Sequence, residues 1–186
     1  MAPNVGLLSA QEMMRQIINK ASQLFYGGGK PTVFGMKMEP LIMLEAGLGV
    51  NGSLSPTAGG GMGVIATQGF LDLGNQVARD FAIGHELGHG FGEKILPEMG
   101  LGGISGSGTE VIADLTSAHI LNQLGISWDR IFSALSSAQG QIFDTTQSGD
   151  HPPAVQRIGN IKSMMLYLSQ GLSFHDSAKT VLGAIQ

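Results

Sequence analysis

His85-Glu86-Leu87-Gly88-His89 is an H-E-x-x-H sequence inside a largely apolar run, Val77 to Phe91, whose spacing predicts a helix. Residues four apart share one helix face, so His85 and His89 point the same way and can reach one metal ion. Glu86 sits one residue round from His85, close enough to work on a water held by that ion. Two imidazole ligands, an open coordination position and a carboxylate base are the parts of a zinc-dependent hydrolase. Phe81, Ala82, Ile83, Leu87 and Phe91 supply apolar positions at helical spacing. Gly84, Gly88 and Gly90 are poor helix formers, and close approach of other backbone or of a ligand best explains them beside the histidines.

Two histidines do not complete a zinc site. Glu110-Val111-Ile112-Ala113-Asp114 offers a third ligand on a separate helix. In that reading Glu110 binds the metal and Asp114, four residues on and on the same face, accepts the free ring N–H of one histidine. The plainer reading makes Glu110 an acid favoured by a helix N-terminus and Asp114 a surface residue. The apolar neighbours Val111, Ile112, Ala113 and Leu115 leave Asp114 no solvated face, which favours the ligand reading. His119 is a competing ligand, but nine residues along a helix place it off the face of Glu110 and about 13 Å away, so it reads as a core or surface histidine. His175 has no supporting pattern. His151 lies on a stiff turn, Asp150-His151-Pro152-Pro153, with Arg157 one to two turns into the following helix. Either group could steady an oxyanion. They could equally be a loop histidine and a surface arginine, and residue chemistry alone does not separate the two.

The elements that would carry these residues can be read in order. Ser9-Ala10-Gln11-Glu12 is a capping-box pattern opening a helix at about 10–25, which Gly27-Gly28-Gly29 and Pro31 end. Residues 32–38 and 41–44 are short strand candidates. Residues 50–54 and 63–67 read as strands joined through Pro56 and Gly59-Gly60-Gly61. A short helix or turn at 69–73 precedes the histidine helix at about 75–91. Residues 99–109 hold five glycines in eleven positions and no charge, which suggests a mobile cover between the two ligand helices. Further helices are expected at about 109–124, from Ser127, and from Pro152-Pro153 to about residue 170, with 140–151 as loop. Strands early and helices late suggest an α+β fold, a small sheet with an edge strand over a mainly helical core.

At 186 residues the chain fits one domain with a full core. Hydrophobic residues make up 42% and charged residues only 13%, about half the usual share, with 29 glycines. The net charge of −4 and the scattered lysines and arginines give no basis for nucleic-acid binding. Cysteine is absent, so any zinc site must use histidine and carboxylate. Met1 to Ala10 carries no signal-peptide pattern, and the longest nearly uncharged segment, Ala46 to Leu71, is broken by eight glycines and a proline. A soluble protein is expected, cytoplasmic or exported without a visible signal peptide, with no transmembrane segment.

Four segments in order resemble the HtpX and CAAX-prenyl-protease type of zinc metallopeptidases, a branch of the gluzincins. Asn51-Gly52-Ser53-Leu54 and Gly60 to Thr67 look like the family's N-A-F strand, glycine turn and edge strand, and Gly69-Phe70-Leu71-Asp72 looks like its short turn. His85 to His89 matches the zinc motif, Glu110 to Asp114 the E-x-x-A-D ligand helix, and His151-Pro152 through Arg157-Ile158 the H-P-x-x-x-R-I segment. The resemblance covers about residues 50–170. Gly52 and Ser53 depart from the family's small and aromatic pair, the membrane or secretory features common in the family are not visible, and residues 1–45 match nothing in it. The resemblance implies a single metallopeptidase domain over 1–186 and a hydrolase that is a zinc-dependent endopeptidase. One Zn2+ per chain would be held by His85, His89 and Glu110, with Glu86 as general base and Asp114 orienting a histidine. His151, and with it Asn51, would contact substrate or oxyanion. The substrate would be a peptide or protein bound in extended form along the edge strand 63–67. Two other classes stand beside this reading: a binding or chaperone-like module with a structural or vestigial zinc site, and a delivered effector or toxin peptidase.

Overall fold

The first helix, α1 (Val5–Phe25), forms because Met14, Ile17, Ile18, Ala21 and Phe25 recur at helical spacing and all are buried. The computed structural model describes residues 5–47, 49–142 and 151–185. Within them α1 already runs from Val5, so Ser9 does not cap it. The apolar stripe continues upstream through Leu7, which packs on the core. The Ser9 hydroxyl instead accepts a hydrogen bond from Arg79 Nη2 at 3.2 Å.

β1 (Thr32–Val33) and β2 (Met36–Glu45) form an antiparallel hairpin. Its turn is Phe34-Gly35, both at positive φ of 50° and 76°, so the expected strand over 32–38 folds back on itself and the 41–44 run belongs to one long β2. β3 (Gly52–Pro56) and β4 (Met62–Thr67) complete a mixed sheet ordered β1-β2-β4-β3. β4 pairs with β2 in parallel and with β3 antiparallel. The expected edge strand 63–67 is therefore an inner strand, and β3 is the edge. Its burial gives the reason: Val64 and Ala66 are fully enclosed and only Ile65 is partly open. A strand covered on both faces belongs inside a sheet.

Thr67 caps the short α2 (Gln68–Leu71). Asn75 caps α3 (Gln76–Glu98), its side chain accepting from the N–H groups of Val77 and Ala78. α3 passes the expected end near residue 91 because the buried face continues through Ile95 and Leu96. Then come α4 (Ser107–Gln123), α5 (Trp128–Ser137, capped by Ser127), the single turn α6 (Gln139–Ile142), α7 (Ala154–Ser169) and α8 (Phe174–Gly183). α6 replaces the start of the loop expected at 140–151, and residues 143–150 of that loop lie outside the described residues. α8 was not expected, although Ser173-Phe174-His175-Asp176 is a capping pattern and the Ser173 hydroxyl accepts from the Asp176 N–H. The chain is thus α+β and mostly helical. Among the described residues no helix is long and apolar enough to cross a membrane.

α3 lies between the sheet and α4, and glycines let it approach both. A Cβ on Gly88 would stand 2.7 Å from the carbonyl oxygen of Ala113 and 2.8 Å from its Cα. The Ser117 hydroxyl, packed against Gly84, donates to the Phe81 carbonyl at 2.7 Å. On the other face Gly90 meets Met38, Leu54 and Val33. This packing is the close approach that the glycines beside the histidines imply. Further along α4, His119 is buried, stacked on Phe174 at 4.8 Å, and its Nδ1 has no hydrogen-bond partner among the described residues.

Gly88→Ala is expected to lower the unfolding free energy by about 2 kcal/mol in urea denaturation, because the methyl meets backbone that cannot move aside. Gly159→Ala, on exposed α7 surface with nothing within 4 Å of the new Cβ, is expected to be neutral or to stabilise by up to about 1 kcal/mol. An equal loss in both variants would refute the packing argument. Burial pulls the His119 pKa down from 6.5 to about 4. Between those values the unfolded chain takes a proton that the folded chain refuses, so stability falls as pH drops from about 6.5 to 4, by up to about 3 kcal/mol. His119→Leu is expected to flatten that part of the pH–stability curve. A curve that keeps its slope would assign the effect to other groups.

Candidate metal centre

Close packing of α3 and α4 brings His85, His89 and Glu110 together. His85 Nε2 lies 3.2 Å from His89 Nε2. Glu110 Oε2 is 3.3 Å from His85 Nε2, and Glu110 Oε1 is 3.4 Å from His89 Nε2. One ligand atom from each of the three residues can be chosen so that all lie within 4.8 Å of one another, a triangle that could hold a metal ion. His85 and Glu110 are buried and His89 is half-buried. Glu110 Oε2 is buried and faces the imidazoles of His85 and His151 at 3.3 and 3.1 Å, and a buried carboxylate of this kind is stabilised by a nearby positive charge.

Three further polar side chains surround the triangle. Asp114 Oδ1 lies 2.9 Å from His85 Nδ1, so the aspartate accepts the N–H there and leaves Nε2 turned toward the triangle. Asp114 is itself held by Arg157 of α7: Nε donates to Oδ2 and Nη2 to Oδ1, both at 2.7 Å. This is a bidentate guanidinium–carboxylate pair, only 4% and 1% exposed. Arg157 Nη2 also stands 3.8 Å from Glu110 Oε2. His151, half exposed, places Nδ1 3.1 Å from the same oxygen.

The proton affinities follow from this crowding. Burial opposes charge on His85, but hydrogen bonds to Asp114 and Glu110 outweigh it and raise its pKa to about 9. Burial and the charge on His85 push His89 down to about 4. Burial works against the charged form of Glu110, but His85 overrides it and holds the carboxyl at about 2. Asp114 is likewise held at about 2, burial being outweighed by Arg157. The pocket therefore binds one proton tightly in place of a cation, and a metal entering the triangle would displace it. Glu86, on the open side, is pushed up to about 7 by burial, with the charge on His85 opposing.

The site opens into a cleft of about 370 Å³. Asn51 and Gly52 at the start of β3 form one wall and Gly140 to Ile142 of α6 another, with Glu86, His89, His151 and Arg157 between them. Asn51 donates its backbone N–H to the Thr67 hydroxyl at 3.2 Å, and its side chain lies 3.4 Å from Glu45. Every residue singled out from sequence for the site thus lies in or beside one cleft. His119 and His175 do not: the first packs on Phe174, and the second lies 3.4 Å from Glu98. The glycine-rich segment 99–109 does not cover the cleft either. Gly103, Ile104 and Gly108 face Leu182 and Ile185 of the C-terminal region across a separate cavity, because the chain turns there at the far end of α3. Phe70, Ala82 and Ile142 line the cleft and were not singled out from sequence. The position of Ala82 three residues before His85 was a usable signal; Ile142 carries none, since only the tertiary fold brings α6 there.

No family model matches the chain, and searches of curated proteins and of solved structures found no match.

Removing Arg157 tests the support of the centre. Arg157→Met leaves Asp114 buried without its counter-charge and is expected to cost about 3 kcal/mol of stability. It is also expected to weaken divalent-metal affinity about tenfold or more, through a less firmly held His85. Calorimetric titration and denaturation of the variant would check both, and unchanged metal affinity would remove Arg157 from the support of the centre.

Proposed function

We propose that the protein is a zinc-dependent endopeptidase acting on extended peptides, as the resemblance to the HtpX type of metallopeptidases implies. The observation that carries this reading is the donor triangle with Glu86 beside it on the open side of the cleft. Tetrahedral zinc with bonds of about 2.0–2.1 Å needs ligand atoms about 3.3–3.4 Å apart. The two imidazole Nε2 atoms are 3.2 Å apart and the Glu110 carboxylate lies 3.3–3.4 Å from each, through a different oxygen in each case, which is close to that requirement. Two neutral imidazoles and one carboxylate are also a donor set typical of catalytic zinc, which leaves a fourth position open. A purely structural site has no need of a further carboxylate at its open side, and the half-buried Glu86 is one.

When bound, zinc supplies a Lewis acid that acidifies water and polarises the scissile carbonyl. The remaining work falls to side chains. Glu86, held near pKa 7 by burial, is suited to take a proton from the attacking water and return it to the leaving amine. His151 has Nδ1 against Glu110, which leaves Nε2 to donate to the developing oxyanion. Arg157 acts through Asp114, keeping His85 in the tautomer whose Nε2 is a free donor. The peptide lies along β3, the sheet edge beside the cleft, from Gly52 onward, the Asn51 N–H and C=O being taken up by Thr67.

Protein purified without added metal is expected to carry about one zinc per chain, and a His85→Ala, His89→Ala double variant is expected to carry none. Glu86→Gln is expected to keep the zinc while hydrolysis of a peptide library falls by at least about 100-fold. Loss of the metal in Glu86→Gln would make Glu86 a ligand and overturn the assignment. His151→Ala is expected to lower kcat by about 100-fold with little change in KM. A variant that melts earlier but turns over normally would remove His151 from the chemistry.

A further inference from the structure

Three rings join α8 to the core, and one of them can take a proton. His119 of α4 is 8% exposed. Its ring stacks on Phe174 of α8, with centroids 4.8 Å apart and planes 27° from parallel. Phe25 of α1 stands 6.5 Å from His119 and 5.2 Å from Phe174. Nδ1 of His119 has no hydrogen-bond partner among the described residues, and neither have the buried hydroxyls of Thr116 and Ser177. Thr116 lies one turn before His119 and Ser177 one turn after Phe174, so both sit on the faces that meet at this seam. Unmet polar groups make the seam weaker than an apolar one of the same area.

Burial lowers the His119 pKa to about 4, and no neighbouring charge compensates a proton there. α1 presents Phe25 and, beside it, the phenol of Tyr26, whose pKa is raised to about 12 and which stays neutral in acid. α3 brings Glu98, paired with Lys94. α7 brings Arg157, held on Asp114, and Lys162, which lies over Phe132. The acids of α4 itself, Glu110 and Asp114, belong to the metal centre. Asp129 and Arg130 of α5 are exposed, as are Asp176 and Lys179 of α8. His175 of α8 lies 3.4 Å from Glu98. That pair favours docking, but at 36% and 43% exposure it is screened by solvent.

The connection to α8 suits bending. Residues 170–173 join it to α7, with Gly171 at a φ of 90°. Undocking would open His119 to water and bare Phe174, Val181 and Leu182, while the sheet and the α3–α4 contact stay in place.

From this geometry we infer that α8 is an acid-released latch: a proton on His119 favours a state in which α8 swings away from α4 as a unit and the rest of the fold persists. The inference stands apart from the peptidase reading.

Hydrogen exchange of the α8 amides in the zinc-loaded protein reads that opening. At about pH 7.5 they are expected to show lower protection than the amides of β2 and β4, and a weaker dependence on urea, because a local opening exposes little surface. Moving to about pH 5.5 is expected to lower α8 protection about tenfold after correction for intrinsic exchange, since a released imidazole titrates at about 6.5. His119→Leu is expected to abolish that response, and His119→Gln is the substitute should leucine disturb folding. The zinc ligands are unchanged in both, so acid effects on the metal centre remain as the baseline. His175→Gln is expected to keep the response. The inference would be overturned by α8 amides that match β2 and β4 in protection and urea dependence, or by protection unmoved in acid. A loss that persists without His119, or one that vanishes with His175, would overturn it equally.

Discussion

The contact between the backbones of α3 and α4 sets everything else in the site. Helices usually pack with axes 8–10 Å apart, separated by their side chains. At Gly88 there is no side chain, and the helix rests directly on Ala113, while Ser117 ties α4 to the Phe81 carbonyl. Only this close approach lets a short glutamate on α4 meet two histidines on α3 at 3.3–3.4 Å. A glycine inside a helix costs about 1 kcal/mol relative to alanine, and α3 carries several. The cost is offset where glycine lets two buried surfaces meet, and Gly90 does the same on the sheet side.

Charge is handled as strictly as space. Asp114 and Arg157 are almost wholly buried, and neither is tolerable alone. Together they form a neutral pair that still offers an acceptor to His85 Nδ1. That acceptor turns the other ring nitrogen of His85 into a lone-pair donor, and Glu110 adds a buried carboxylate oxygen facing it. Each layer is stable because the next one compensates it, and the innermost layer has the donors that could hold a cation. Glu86 stands outside this series on the cleft side, where burial raises its proton affinity against the opposing charge on His85.

The parts of this arrangement that are periodic within one helix were legible in the sequence. His85 and His89 four apart, and Glu110 and Asp114 four apart, declare their shared faces without any tertiary information. The α+β class was legible for the same reason, from the order of short alternating and long periodic segments. Strand order was not. Residues 63–67 carry no mark saying that β2 returns to pair beside them, because that pairing depends on the Phe34-Gly35 turn and on a register between distant segments. Phe-Gly is an unusual pair for a turn with both residues at positive φ. The role of Arg157 was equally hidden, since its carboxylate partner lies 43 residues away. The glycine-rich segment 99–109 misled through composition alone: its glycines serve the chain reversal between α3 and α4 rather than an opening over the cleft. α8 shows the opposite case, a helix whose capping serine was visible and was passed over.

The distance between Asp114 and Arg157 along the chain also bears on how the protein is made. A ribosome releases the chain from its N-terminus, at about 5–20 residues per second. The sheet, α3 and α4 all emerge before α7. During that interval Asp114 has no guanidinium to neutralise it, and a buried lone carboxylate would hold the α3–α4 junction open. The metal-binding triangle therefore closes late, when the segment from Ala154 onward docks against α4. Until then the nascent protein holds the three donor residues without the geometry that brings them together.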